Sequence, residues 1–216
     1  QRIAEVLETE PQINDPKVAK SFNSNDRGVV EFKNVSFRYN GAEEDMLKNI
    51  TFEALPGQTT AIIGSTGSGK TTLVNLIMRF YDVTGGQVLV NGVDVREVTQ
   101  SDLRDRIGYV PQKSSLFSGT IESNMKYAKE DASEEDMKIA LDIAQALEFV
   151  NEKPDGVKSD ISQGGSNVSG GQKQRLSIAR ALVKRPDIYI FDDSFSALDF
   201  KTDSALRKAL KDRIQS

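Results

Sequence analysis

Gly64-Ser65-Thr66-Gly67-Ser68-Gly69-Lys70-Thr71 fits the pattern GxxxxGK[ST] in full, between the apolar run Ala61-Ile62-Ile63 and a stretch of helical periodicity. These residue types suit a phosphate chain. Glycines let backbone N–H groups close around phosphate oxygens, and a helix start adds the positive end of its dipole. Lys70 supplies a mobile charge for the β- and γ-phosphates, and the Thr71 hydroxyl is a hard oxygen ligand for Mg²⁺. Asp192 closes the apolar run Ile188-Tyr189-Ile190-Phe191, which puts a carboxylate at a strand end. Alone, such an acid is an ordinary polar boundary. With a phosphate loop in the same chain, the metal-ligand reading is the stronger one.

A second glycine pair stands in Ser169-Gly170-Gly171-Gln172, at the start of another helical pattern. Bare backbone, helix dipole and the Ser169 hydroxyl together make a second candidate anion site. A simple N-capped helix would account for Ser169 but not for two glycines, which are costly beside a helix start.

Strands and helices must carry these groups. Alternation at Val30 and Phe32, then at Val35, Phe37 and Tyr39, predicts strand, as do Ile50 and Phe52; a Pro56-Gly57 turn then leads to a strand at Ala61-Ile62-Ile63. Leu73, Leu76, Ile77 and Phe80 fall on one helix face, and Val88-Leu89-Val90 and Val93-Asp94-Val95 form a hairpin on Asn91-Gly92. Beyond Pro111-Gln112 the pattern is helical. Ser133-Glu134-Glu135-Asp136 has capping-box spacing, ahead of a face of Met137, Ala140, Ala144 and Leu147. Leu176, Ala179 and Leu182 continue a helix towards Pro186, Asp187 to Phe191 reads as a buried strand, and Lys201 to Ile214 as a last helix. Residues 1–26 read as a short helix, with Ile3, Val6 and Leu7 at helical spacing, followed by a polar linker.

The 216 residues, 38% hydrophobic, suffice for one domain or for a core with an inserted subdomain. With 28 basic and 32 acidic residues the formal charge is −4, which gives nucleic acid no place in the first hypothesis. Cysteine and histidine are absent, so disulfides, thiolate or imidazole metal sites, a His base and a Cys nucleophile are all excluded. Acid–base chemistry falls to carboxylates. The apolar runs are too short to span a bilayer, and the start Gln1-Arg2-Ile3-Ala4 has neither an initiator Met nor a signal-peptide pattern, as expected of a chain cut from a longer one.

The phosphate loop, Tyr109-Val110-Pro111-Gln112, Ser169-Gly170-Gly171-Gln172, the strand ending in Asp192, and Ser196-Ala197-Leu198-Asp199 occur in an order that resembles an ATP-binding cassette (ABC) ATPase over nearly all of residues 29 to 200. The resemblance implies an α/β fold: a P-loop NTPase core of mixed sheet flanked by helices, with an antiparallel β-subdomain and an inserted α-helical subdomain. Residues 1–26 would be a linker from a membrane domain, 27–112 and 170–216 the catalytic core, and 113–169 the helical subdomain ending in the signature. ATP and Mg²⁺ are the implied ligands. ATP would meet Tyr39, Gly64, Ser65, Thr66, Gly67, Ser68, Gly69, Lys70, Thr71, Thr72 and Gln112. ATP would also meet Asp199 and, from a partner's side, Ser169, Gly170, Gly171 and Gln172. Thr71, Gln112 and Asp192 would hold the metal, and Lys70, Gln112 and Asp193 would act in catalysis. Tyr39 would stack on adenine; the alternative is a core tyrosine at a strand end.

Pro111 to Ile121 is similar to the exporter form of the Gln112 region, and Ile3-Ala4-Glu5-Val6-Leu7 resembles the helix that leads from an exporter's last membrane span. Ser162-Gln163-Gly164-Gly165 stands where exporters carry the X-loop and fits it loosely. The implied protein is an exporter half-transporter at the cytoplasmic face of the cell membrane. Its partners would be an upstream membrane domain and a second nucleotide-binding domain joined head to tail, with no nucleic acid. The competing readings are a soluble ABC protein acting on nucleic acid or the ribosome, and a nucleotide-binding module that does not hydrolyse.

Two positions depart from the family. Asp193 stands where glutamate is usual, and one methylene less moves the carboxylate away from the attacking water, where a displacement of about 1 Å can cost about a hundredfold in rate. The expectation is a slow site of its own, with Ser169-Gly170-Gly171-Gln172 serving a partner's active site; the alternative is a homodimer in which Asp193 works. The second departure is the family's switch histidine, absent here. The resemblance implies that it lies past Ser216 with a further strand of the central sheet, and that the 216 residues alone would leave sheet backbone uncovered.

Overall fold

The structure, a computed structural model, describes residues 11–22 and 27–214; the helix expected around Ile3, Val6 and Leu7 lies outside them. The chain divides into two compact units, residues 1–104 and 105–216.

The first unit is built on an antiparallel sheet in the order β2-β1-β3-β4, from β1 (Val30–Phe37), β2 (Leu47–Ala54), β3 (Gly85–Val90) and β4 (Val93–Asp94). In β1, the change of alternation between Phe32 and Val35 is a bulge. The register shifts between these residues against β2, and Asn34 sits at φ 48. One extra residue flips the face, so Val30, Phe32, Val35 and Phe37 are all buried. The predicted hairpin is present, with Val90 opposite Val93. The buried Asn91 side chain accepts hydrogen bonds from the backbone N–H groups of Gly28 (2.7 Å) and Val29 (3.2 Å), which ties the turn to the start of β1. Among the described residues, the unit's helices are α1 (Lys70–Ile77) and α2 (Gln100–Asp105). Part of the expected linker docks here. Asp15 accepts the Gln100 N–H at 2.9 Å, which with the Gln100 side chain holds its carboxyl below the usual range, and Lys20 pairs with Glu97 at 2.9 Å.

Three local expectations are corrected in this unit. Residues 61–63 form no strand, and Ile62 and Ile63 are 43% and 93% exposed. The apolar pattern was a fair strand signal, but a strand exists through its ladder, and no described strand pairs with this run. Helix α1 ends at Ile77, so Phe80 leaves the helix face and lies partly exposed under the Arg104 guanidinium, 5.0 Å from its ring centre. Strand β1 stops at Phe37, which leaves Tyr39 just beyond it.

The second unit holds the parallel pair β5 (Ile107–Val110) and β8 (Ile188–Phe191), and the short antiparallel pair β6 (Gly119–Thr120) and β7 (Asp160–Ile161). Its helices are α3 (Ile121–Ala128), α4 (Glu134–Ile143), α5 (Leu147–Asn151), α6 (Gly170–Val183) and α7 (Phe200–Ile214). Leu116, Ile121, Met125, Met137, Leu141, Ile178 and Leu206 fill one core with β5 and β8 along its side. The Ser133 capping box forms, Ser133 accepting the Asp136 N–H at 3.1 Å and Asp136 accepting the Ser133 N–H at 3.2 Å. Helix α4 ends at Ile143, so Leu147 belongs to α5 instead. Strand β8 is half-buried rather than buried, because among the described residues it pairs with β5 alone. Among the described residues no helix is long and apolar enough to cross a membrane.

Candidate functional site

In the first unit, the turn after Gly64 ends on Gly69, the N-cap of α1. Gly69 has φ 95, a left-handed conformation that favours glycine. No side chain caps this helix and its first turn carries no acid, and a helix start of this kind suits an anion. Lys70 arches back over the loop, and its Nζ donates to the carbonyls of Gly64 (2.6 Å) and Ser65 (2.8 Å). Tyr39 packs edge-on against Phe37 (4.7 Å between centroids) and Tyr81 (5.3 Å), and its hydroxyl hydrogen-bonds with Thr72 Oγ1 at 2.8 Å. It remains half-buried, with a ring held by two neighbours and tethered to α1.

In the second unit, β5 and β8 run parallel in the register Val110 to Phe191, so both strands deliver the residues after them to one edge. Ligands of parallel sheets collect at that carboxyl edge. There Gln112 Nε2 donates to Asp193 Oδ2 at 3.1 Å, joining two residues 81 positions apart. Asp193 holds φ 46, a left-handed conformation that short polar side chains tolerate better than others. The turn is pinned from beneath by Ser194, fully buried, whose hydroxyl donates to the Val110 carbonyl at 2.6 Å. The phenol of Tyr109 is pushed up by burial and, to a lesser extent, by the charge of Asp192.

Ser169 is the N-cap of α6, and the tetrapeptide closes on itself. Ser169 Oγ accepts the Gln172 N–H (3.2 Å), and Gln172 Oε1 accepts the Ser169 N–H (3.0 Å). This capping box uses the amides of Ser169 and Gln172 and not those of Gly170 and Gly171. Gly171 lies against the turn after β8: a Cβ would come 3.1 Å from the Ala197 carbonyl oxygen. Asp199 caps α7 through the Thr202 N–H (3.0 Å) and hydroxyl (2.8 Å), and the first of these chiefly holds its carboxyl below the usual range.

The structure thus joins Gln112 with Asp193, Tyr39 with Thr72, and Ser169 with Gln172; Lys70 meets its own loop, and Asp199 a helix end. Sequence reasoning missed the polar groups beneath the site. Ser194 is one. Asn124 is another: it accepts the Phe117 N–H (2.9 Å) and donates to the carbonyls of Phe117 (2.9 Å) and Thr120 (3.0 Å), while Arg180 donates to the Ser115 carbonyl at 2.8 Å. These bonds fix the segment after Gln112. No spacing motif in the sequence marks Ser194, Asn124 or Arg180.

Thr71, Gln112 and Asp192 offer hydroxyl, amide and carboxylate oxygens, the donor chemistry of Mg²⁺. The Gln112 amide nitrogen is engaged by Asp193, and its oxygen end is the one a cation would take. Among the described residues no group of three or more His, Cys, Asp or Glu side chains is placed to hold a metal ion.

The family described as ABC transporter matches residues 47–196. An uncharacterized ABC transporter ATP-binding protein of Mycobacterium bovis is 49% identical over 214 residues, 98% of this chain and 36% of that protein. An ATP-dependent lipid A-core flippase of Haemophilus influenzae is 44% identical over 185 residues, 85% of this chain and 32% of the flippase. Among solved structures, a bacterial Atm1-family ABC exporter with ATP bound matches with a TM-score of 0.91 and 35% identity, covering 100% of this chain and 37% of the exporter. The chain therefore spans about a third of the length of these relatives.

Proposed function

Because the chain belongs to the ABC transporter family, whose ATP-binding domains are ATPases, we propose that it powers export through a membrane domain on the same polypeptide, at the cytoplasmic face of the membrane. The observation that carries the hydrolytic reading is the edge of β5 and β8, where Gln112 and Asp193 meet at 3.1 Å. The named exporter and flippase among its relatives support transport as the work that hydrolysis drives.

Each residue has a role in this reading. The N–H groups of the loop from Gly64 to Gly69 and of the α1 start cradle the phosphates. Lys70 exchanges its two carbonyl partners for β- and γ-phosphate oxygens, and the Tyr39 face supports adenine. Thr71, Asp192 and the Gln112 oxygen would hold Mg²⁺, which when bound neutralises phosphate charge. Asp193 accepts a hydrogen bond from the attacking water, and this requires Gln112 to release or share its carboxylate. The N–H groups of Gly170 and Gly171, with the Ser169 hydroxyl proton, face the γ-phosphate held by a second nucleotide-binding domain, and Asp199 belongs to that same contact. ATP thereby closes a head-to-tail pair, and hydrolysis reopens it.

Asp193 further supports a slow site of its own, with the Ser169 segment serving a faster site on a different partner. Single-turnover hydrolysis by the purified intact transporter tests this. Asp193→Glu should raise the rate of the slow site by about tenfold or more, since about 1 Å of carboxylate placement is at stake. A transporter that is a homodimer, runs at full rate and is indifferent to Asp193→Glu would show that aspartate suffices.

A further inference from the structure

Gln174 is polar, lies one turn into α6, and is only 4% exposed. A buried amide requires partners at both ends, and its partners here are not in its own helix. Oε1 accepts the Ala197 N–H at 3.0 Å, and Nε2 points to Ser196 Oγ at 3.4 Å. Ser196 in turn donates to the carbonyl of Asp193 at 3.2 Å. The same stretch of α6 gives way to the turn at Gly171, where a Cβ would meet the Ala197 carbonyl. The segment from Asp193 to Ala197 is thus held on one side by Ser194 against β5 and on the other by α6.

We propose that Gln174 is a positioning residue for Asp193: its amide fixes the backbone of the 193–197 turn to the start of α6, and through Ser196 it sets where the Asp193 carboxylate stands. A non-glycine residue at φ 46 needs such bracing, because the surrounding contacts must over-determine a sparsely populated conformation. The same tie makes the glycine-bearing end of α6 and the hydrolytic carboxylate one mechanical unit, so that a shift of the helix start is delivered to Asp193. Both ends of the amide are used, which is why an apolar side chain of equal length cannot substitute. The inference rests on the hydrolytic reading of Asp193 above.

The test uses the full-length transporter in lipid vesicles. Gln174→Met keeps length and apolar packing but removes both hydrogen bonds. It should lower kcat at the site that holds Asp193, read by single-turnover hydrolysis, about tenfold, while KM for ATP at that site stays within about twofold, because the nucleotide's own contacts are untouched. Ser196→Ala, which spares the bond to Ala197, should lower kcat by a smaller factor. In an Asp193→Asn background the Gln174→Met effect should vanish, as expected of a residue that acts through Asp193. An unchanged kcat in Gln174→Met would overturn the proposal, and so would an equal loss in the Asp193→Asn background. If Gln174→Met fails to fold, Ser196→Ala decides, and an unchanged kcat there overturns the proposal. A wild-type transporter whose hydrolysis is insensitive to Lys70→Ala would instead defeat the underlying ATPase reading.

Discussion

The two glycine-bearing helix starts, at Gly69 and at Ser169, share a sequence grammar but complete their backbone hydrogen bonds in opposite ways. Helix α1 starts on a left-handed glycine with no side-chain cap and no acid in its first turn. Helix α6 starts on a serine whose capping box with Gln172 already satisfies two of its four orphan amides. At the first start, Lys70 folds onto its own loop carbonyls. The second is self-sufficient as a helix end, so its glycines answer other needs: bare amides at 170 and 171, and room at 171 for the Ala197 carbonyl. A helix start without a side-chain cap leaves anion binding to its backbone and dipole. One that is capped can present a ligand surface and still stand alone.

Removing the charge of the first start should have the largest effect. In the intact transporter Lys70→Ala should lower ATP hydrolysis at that site by at least about a hundredfold, the scale expected when one charge stabilising a transferring phosphoryl group is lost. A loss under threefold would dissolve the contrast. The capped start is sharpened by a third helix start, Ser133 of α4, which has the same capping box without glycines. Ser169→Ala and Ser133→Ala should each cost about 1 kcal/mol of stability, read as a fall of a few degrees in thermal melting. Only Ser169→Ala should also slow hydrolysis, by about tenfold. Equal kinetic effects at both positions would reduce the Ser169 segment to a structural cap.

The smallest effect concerns Asp136, which closes the α4 box. The Lys129 ammonium, bound at 2.9 Å, and then the Ser133 N–H hold its carboxyl down to about 2. A depressed carboxylate stabilises the fold above its ordinary range, and this contribution is lost as pH falls through the folded value. Amide exchange of residues 134–143 in the intact transporter should therefore be faster in Asp136→Asn near neutrality. The difference should shrink as pH falls from about 5 towards 2. A difference that grew on acidification would contradict this account.

Much was legible before any fold was known. The helix after Gly69, the Asn91-Gly92 hairpin, the Ser133 box, the α6 helix and the Asp192 strand end all rest on local chemistry, and each reappears at its place. The switch of alternation in β1 was also present in the sequence, though its meaning as a bulge needs the partner strands. What local pattern misjudged depended on neighbours. Ala61-Ile62-Ile63 has strand composition and no described partner, Phe80 has helix spacing past the end of its helix, and β8 is half-covered because it has one neighbour.

By itself, then, the sequence determined which chemical groups the chain carries and which conformations their neighbours permit, because capping, glycine freedom and alternation act over a few residues. Only the tertiary structure decided that Gln112 and Asp193 meet, that Gln174 and Ser194 brace the turn between them, and that Gly171 makes way for Ala197. These contacts join residues about twenty to eighty positions apart, and no local rule reaches that distance. They exist because β5 and β8 run parallel and α6 packs beside them, which puts distant polar atoms where burial requires each to find a partner.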